Sequence, residues 1–232
     1  MNNAMQAVRE SVDVPSAARA EAARYAMLRR LAPSMRHHLV VNLQPIGMIY
    51  EVMERRLRAP EPDLAHVHES AQKINGFARA ALDACLDVVT WLAPDEKATI
   101  AVADGVRECV SLLATSLSFR GYAIRNQVTA LAGQVPRSAI RSVLTAALVH
   151  VTDQNPPPAD LVLTARSEPA GLRLRLALRA PEGSQGFAQE AGYRQIGWDD
   201  VQALAAAESV QVERDGPMLS LLIPWAAAQR PA

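Results

Sequence analysis

Two adjacent histidines, His37 and His38, lie inside a long amphipathic helical pattern that runs from Ala17 to Arg58. Each residue of an α-helix turns by about 100°, so His37 points roughly 200° away from residues two positions before and after it, which belong to an apolar stripe. We therefore expect His37 to face water. His38 lies about 100° further round, at the edge of the buried side, and we expect it to be partly covered. The stripe consists of Leu28, Leu31, Met35, Leu39, Leu43, Ile46, Met53 and Leu57.

The sequence around His37 resembles the phospho-acceptor box of sensor histidine kinases, in which a histidine, an acidic residue and a leucine are followed by a polar residue and a proline. Pro45 is the matching proline here, whereas His38 replaces the acidic residue that helps to activate the imidazole for autophosphorylation. Val41 stands where the family has a threonine or asparagine that orients water for phosphatase chemistry, and Asn42 comes one position late. The resemblance implies that His37 accepts a phosphoryl group, and the departures argue against self-phosphorylation and phosphatase activity.

A second helical pattern, from Asp63 to about Leu92, follows a predicted reversal at residues 59–63. Two long helices joined by a short turn form an antiparallel hairpin. The apolar stripes are wider than one hairpin can cover, so we expect a second copy to complete a four-helix bundle. The sequence thus predicts a homodimer, a disordered segment at residues 1–15, and a dimerisation and histidine phosphotransfer hairpin at residues 16–94.

The apolar pattern changes period after Pro94, where short strands alternate with helices. We therefore predict an α+β chain in which residues 95–228 form a layered α/β sandwich. The order of elements after a helical hairpin resembles the ATP-binding domain of histidine kinases and gyrase-type proteins. The predicted elements are strand 99–102, helix 104–119, strand 123–128, helix 136–150, hairpin strands 160–166 and 172–178, helix 199–207, and strands 210–212 and 218–223.

The nucleotide-binding residues of that family are not matched. Ala146 and His150 occupy the positions of the asparagines, one of which helps to hold Mg²⁺ in the family, and Arg179 stands near the aspartate that reads adenine. The family has a glycine-rich turn at this point, whereas residues 179–186 read Arg-Ala-Pro-Glu-Gly-Ser-Gln-Gly. The second glycine-rich lid is shortened to residues 192–197. We therefore predict no ATP binding, no cofactor, and a degenerate ATPase-like domain. His150 is interpreted as a helix histidine with a satisfied hydrogen bond rather than a metal ligand.

Charge and composition exclude several classes of protein. Lys and Arg together number 24, as do Asp and Glu, so no basic field favours nucleic acid. No apolar run reaches the roughly 20 residues of a membrane span, and the N-terminus is unlike a signal peptide, so we expect a cytoplasmic protein. Cys85 and Cys109 lack a partner motif and are interpreted as reduced packing residues. His66 and His68 are two residues apart on different helix faces, so no helical metal pair is predicted.

Three functions remain open at this point. The first is a histidine phosphotransfer protein of a bacterial two-component phosphorelay, in which His37 relays a phosphoryl group between response-regulator receivers that supply Mg²⁺. The second is a non-catalytic dimeric pseudokinase adaptor that binds a response regulator or a kinase, and the third is an active histidine kinase with a divergent ATP site. Receiver docking is expected at the exposed surface of the first helix and at the early second helix. The docking residues expected on the first helix are Arg36, His38, Val40, Asn42 and Gln44.

Overall fold

The computed structural model of the chain describes residues 2–179 and 192–226, with side chains from residue 16 onward. The chain divides into two compact units. One unit contains Met1–Leu31 together with Pro94–Ala232, and the other is Ala32–Ala93. The first 31 residues therefore group with the α/β part of the chain, whereas the sequence predicts that the helical hairpin begins at residue 16.

Helix α1 spans Asn2–Leu57 and is longer than predicted. It includes residues 2–15, for which the sequence predicts disorder. Only six of these fourteen residues are alanine, methionine, glutamine, arginine or glutamate, which are good helix formers, and the two asparagines, three valines and Pro15 are poor ones, so local propensity alone does not account for the helix. Pro15 does not end the helix.

Residues 16–31 of α1 bury one face within the α/β unit. Ala20, Ala23, Met27 and Leu31 recur at helical spacing and are all buried. Ion pairs flank this face, joining Arg24 to Glu208 at 2.8 Å and Arg30 to Asp153. Sequence periodicity assigned these residues to the hairpin because an apolar stripe shows that a helix is covered but does not show by what.

The hairpin unit pairs the second half of α1 with α2, which spans Leu64–Leu92. Asp63 caps α2, since its side chain accepts hydrogen bonds from the backbone N–H groups of Ala65 and His66 at 3.0 and 3.2 Å. The covered positions of α2 follow alternating spacings of three and four residues, as in a coiled-coil seam. These covered positions are Val67, Ser70, Ile74, Phe77, Ala81, Ala84, Val88 and Trp91.

The α/β unit is built on a five-stranded sheet, which confirms the predicted fold class of a helical hairpin followed by an α/β sandwich. The strand order is β2-β4-β5-β7-β6, with β2 parallel to β4 and the other neighbours antiparallel. A separate pair joins β1 to β3, and β3 was not predicted from the sequence. The strands are β1 Thr99–Ala101, β2 Tyr122–Asn126, β3 Gln134–Pro136, β4 Ala159–Glu168, β5 Gly171–Arg179, β6 Gln211–Asp215 and β7 Met218–Pro224.

Helices accompany the sheet and supply most of the remaining core. Three of them are α3 Val102–Phe119, α5 Thr145–Gln154 and α6 Trp198–Ala207. The helix α4, Arg137–Ala139, continues through a π-helical turn at Ile140–Leu144 into α5. Along β5 three of the four leucines are buried and the two arginines between them are half-buried, which is the alternation of a strand with one covered face. The buried leucines of this strand are Leu172, Leu174 and Leu176.

The turn between β4 and β5 requires glycine at position 171. A Cβ atom added there would lie 2.2 Å from the backbone oxygen of Ile223 on β7, so the Gly171→Ala variant must shift two paired strands. We expect this change to lower the free energy of unfolding by about 1–3 kcal/mol. Gly76→Ala is the matched control, since its Cβ meets nothing within 4 Å and a helix interior favours alanine by about 1 kcal/mol. Urea unfolding followed by circular dichroism measures both, and equal stability of the two variants would contradict the expected strand clash.

Candidate functional site

His37 lies on the surface of α1, within the hairpin unit, and its side chain is exposed as the helical phase predicted. Residues at its spacing along the helix are exposed too. This histidine face consists of His37, Val40, Gln44, Gly47 and Glu51. The imidazole is therefore accessible to a macromolecular partner along more than three turns of helix.

The opposite side of this helix is the covered hairpin seam, and its positions alternate at four and three residues. Met35 is buried and the others are half-buried. This spacing matches that of the covered positions on α2, so the two helices pack along complementary seams. The seam residues of α1 are Met35, Leu39, Asn42, Ile46, Ile49 and Met53.

A third face of α1 is apolar but is not covered within the chain. Val41, Met48 and Val52 are 50%, 63% and 37% exposed, and they share this apolar face with His38 and Pro45 at spacings of three and four residues. A similar stripe on α2 is also exposed. It consists of Leu82, Cys85, Val89 and Leu92.

Within the chain both histidine side chains are exposed, so the chain by itself does not provide the partial cover that the sequence predicts for His38. The two ring centroids lie 6.4 Å apart, with the planes tilted by 49°. The sequence placed His38 at the edge of the buried seam, but the seam is only as wide as one partner helix. His38 instead begins the apolar face, and this position is what distinguishes it from His37.

The other predicted docking residues divide between the faces. Arg36, Val40 and Gln44 are exposed, and Val40 and Gln44 share the histidine face. Asn42 is a half-buried seam residue whose side-chain amide donates a 3.0 Å hydrogen bond to the backbone oxygen of His38. Asn42 therefore lies on the hairpin seam and not on the histidine face.

The positions that the family resemblance assigns to the nucleotide site hold packing groups in this structure. Ala146 is fully buried in α5, and His150 is 3% exposed. The His150 Nδ1 atom lies 2.8 Å from the backbone oxygen of Ile196, and its ring stacks at a tilt against Trp198 with centroids 5.8 Å apart. The interpretation of His150 as a satisfied helix histidine is confirmed. Arg179 ends β5 and is exposed, and the glycine-rich turn after it, at residues 180–191, lies outside the described residues.

The segment at residues 192–197, where the sequence predicts a shortened lid, is held against α5 by both backbone polar groups of Ile196. Ile196 receives the His150 contact at its oxygen, and its N–H donates a 3.0 Å hydrogen bond to Asp153 Oδ2. The Ile196 side chain is completely buried. Sequence analysis missed Asp153 and Ile196, since residues 43 positions apart carry no local signal of contact.

Cysteine and metal chemistry add little to the site. Burial raises the pKa of the Cys109 thiol to about 12, so this buried residue packs in its protonated form. Cys85 is exposed and belongs to the apolar stripe of α2, which corrects its interpretation as a buried packing residue. Among the described residues, no group of three or more His, Cys, Asp or Glu side chains could hold a metal ion. Within the same residues, no helix combines the length and apolar character needed to cross a membrane.

No protein-family model and no curated protein matches the sequence. Several solved structures are similar to it, and they include histidine kinases, the family that the sequence resembles. A histidine kinase from Burkholderia phymatum STM815 is 17% identical with a TM-score of 0.44, over 88% of this chain and 98% of that one. Acinetobacter baumannii histidine kinase AdeS is 13% identical with a TM-score of 0.42, over 78% of this chain and 96% of that one.

A third similar structure is histidine kinase ThkA in complex with response regulator protein TrrA. It is 13% identical with a TM-score of 0.43, over 88% of this chain and 63% of that one. At this level of identity and superposition, none of the three structures identifies an activity or a partner for this chain.

Proposed function

We propose that the chain is a histidine phosphotransfer protein that relays a phosphoryl group between the receiver domains of response regulators. The observation that carries the proposal is the exposure of His37 at the start of an accessible helix face, on the residue where the sequence resembles a phospho-acceptor box. An accessible imidazole is the one reactive group that such a relay requires from this protein. The receiver contributes the remaining chemistry.

In the proposed reaction, a neutral ring nitrogen of His37 attacks the phosphorus of an aspartyl phosphate on the first receiver. A P–N bond forms and the P–O bond to the aspartate breaks, which releases the carboxylate, while the other ring nitrogen carries the proton. The aspartate of the second receiver then attacks the phosphorus, forming a P–O bond and breaking the P–N bond. Mg²⁺ in each receiver balances the phosphoryl charge, so the chain has to supply only a positioned nucleophile.

The histidine face is the proposed docking surface for the receiver. Val40 and Gln44 lie one and two turns beyond His37 and offer an apolar contact and a hydrogen-bonding amide. Arg36 is exposed next to the acceptor and could balance phosphoryl charge. All three residues are exposed within the chain, as a docking surface requires.

A homodimer is the proposed assembly, formed through the apolar face of α1 and the apolar stripe of α2. Large exposed apolar surfaces mark interaction sites in soluble proteins, and two hairpins can bury theirs together in a four-helix bundle. The bundle would contain residues 32–93, because residues 16–31 belong to the α/β unit. In such a dimer His38 lies on the covered side and His37 stays exposed.

Transfer of label tests the proposed acceptor. Each purified receiver domain of the host, phosphorylated with ³²P, is mixed with the chain, and the label on each protein is followed over time. We expect His37→Ala to abolish labelling and His38→Ala to retain most of it, because only His37 lies on the histidine face. The free energy of unfolding of His37→Ala should stay within about 0.5 kcal/mol of the wild type, as for other exposed positions. Label that persists in His37→Ala and disappears in His38→Ala would identify His38 as the acceptor, and binding of a receiver without any label would favour the adaptor.

Light scattering tests the dimer. We expect the chain to have twice its 25.1 kDa mass at micromolar concentration, and we expect Leu82→Glu to be monomeric because it places a charge in the proposed apolar interface. Arg79→Glu is the matched control, since it introduces the same carboxylate at an exposed position of α2 outside the apolar stripe. A monomeric wild type, or equal dissociation of both variants, would contradict the proposed interface.

Calorimetry with Mg²⁺-ATP tests the proposed loss of nucleotide binding. We expect no saturable heat up to millimolar nucleotide, because His150 and Asp153 bind the Ile196 peptide and Ala146 offers no ligand. A defined affinity in the micromolar range would favour an active kinase with a divergent site.

A further inference from the structure

A cavity of about 270 Å³ lies in the α/β unit, where the residues that follow α3 meet the C-terminal end of α5. Its walls include the charged side chains of Arg120 and Asp153, the Tyr122 ring, and three amide residues, Gln154, Asn155 and Gln195. The remaining wall residues are Thr152, Pro156 and Pro157. The cavity is thus polar, with one cation and one anion on its walls.

The anion is already engaged outside the cavity. The Asp153 side chain is 1% exposed and forms an ion pair through Oδ1 with Arg30, whose side chain is 7% exposed, while Asp153 Oδ2 accepts the Ile196 N–H. Arg120 reaches the same Oδ1 at only 3.9 Å. Two guanidinium groups therefore share one carboxylate, and the cluster has an excess of one positive charge.

Among the described residues, Arg30 forms an ion pair with Asp153 and with no second carboxylate. Its guanidinium carbon lies 5.5 Å from the centre of the Tyr193 ring, and its Nε atom is buried without a hydrogen-bond partner among the described residues. A buried donor without a partner costs free energy. Asp153 therefore pairs mainly with Arg30, and the charge of Arg120 faces the cavity.

Arg120 is largely desolvated, with 13% of its side chain exposed. It donates a 3.1 Å hydrogen bond to the backbone oxygen of Thr152, and its guanidinium lies 5.1 Å from the centre of the Tyr122 ring. Burial lowers the pKa of the Arg120 guanidinium, and the charge of Arg30 acts in the same direction. Among the described residues, no carboxylate other than Asp153 forms an ion pair with Arg120.

We propose that this cavity is a binding site for a small oxyanion, with Arg120 as the charged ligand and the amides of Gln154 and Gln195 as hydrogen-bond donors. An anion there would balance the second guanidinium, which a buried cation requires. The volume of about 270 Å³ lies just below the usual range of ligand sites, roughly 300–1,000 Å³, so a compact phosphate or carboxylate compound suits it better than a nucleotide. The site is distinct from the proposed acceptor His37 and does not depend on the proposed relay.

Calorimetric titration of the full chain with inorganic phosphate and, separately, with acetate tests the site and distinguishes the two anion classes. We expect saturable binding of at least one anion and an affinity about tenfold or more lower in Arg120→Gln, since a charge-assisted hydrogen bond is lost. Arg107→Gln is the matched control, because Arg107 is an exposed arginine of helix α3, which Arg120 directly follows, and it pairs with Asp104. This control should bind with wild-type affinity.

Gln195→Glu provides a second variant that keeps Arg120 in place. It adds a carboxylate to the cavity wall, so we expect it to lose anion binding and to unfold at a higher temperature than the wild type. Absence of saturable binding of either anion to the wild type would overturn the proposal. Equal loss in Arg120→Gln and Arg107→Gln, or full affinity in Gln195→Glu, would also overturn it.

Discussion

The buried carboxylate of Asp153 is the constraint that holds the α/β unit together around α5. A charge that is 1% exposed requires partners in the protein, and Asp153 obtains them from two distant segments, Arg30 on α1 and the Ile196 N–H of the 192–197 segment. His150, one turn earlier on α5, contacts the backbone oxygen of Ile196. One helix surface thus fixes both the N-terminal helix and the segment that precedes α6.

These contacts show which groups occupy the positions at which the sequence departs from the histidine kinase pattern. In the resembled family the helix that matches residues 136–150 carries asparagines, one of which helps to hold Mg²⁺. Here an alanine and a buried histidine occupy those positions, and the histidine bonds to protein backbone. The polar groups of this helix surface serve internal packing. The charge of Arg120 is left unbalanced, because Arg30 has the closer contact with the Asp153 carboxylate that the two arginines share.

The spacing of residues along α1 determines which face of the hairpin unit each of them occupies. Between Met35 and Met53 one helix presents a covered seam, an apolar face and a face that carries His37, each repeating at three and four residues. Adjacent residues of a helix lie about 100° apart, so His37 and His38 lie on different faces. His38 begins the apolar face and His37 begins the histidine face. The different positions of the two histidines are therefore a consequence of helix geometry and need no special local structure.

The sequence by itself determined the hairpin, the order of most strands and helices of the sandwich and the exposure of His37. These features follow from short-range periodicity and from turn residues such as Asp63, which act over a few positions. Only the tertiary structure decided that residues 16–31 pack within the α/β unit, that His38 is exposed within the chain, and that Arg30, Arg120 and Asp153 share one cluster. Those residues are up to 123 positions apart, and an apolar stripe or a lone charge does not specify its partner. Long-range pairing depends on how whole elements fit together, which local spacing does not record.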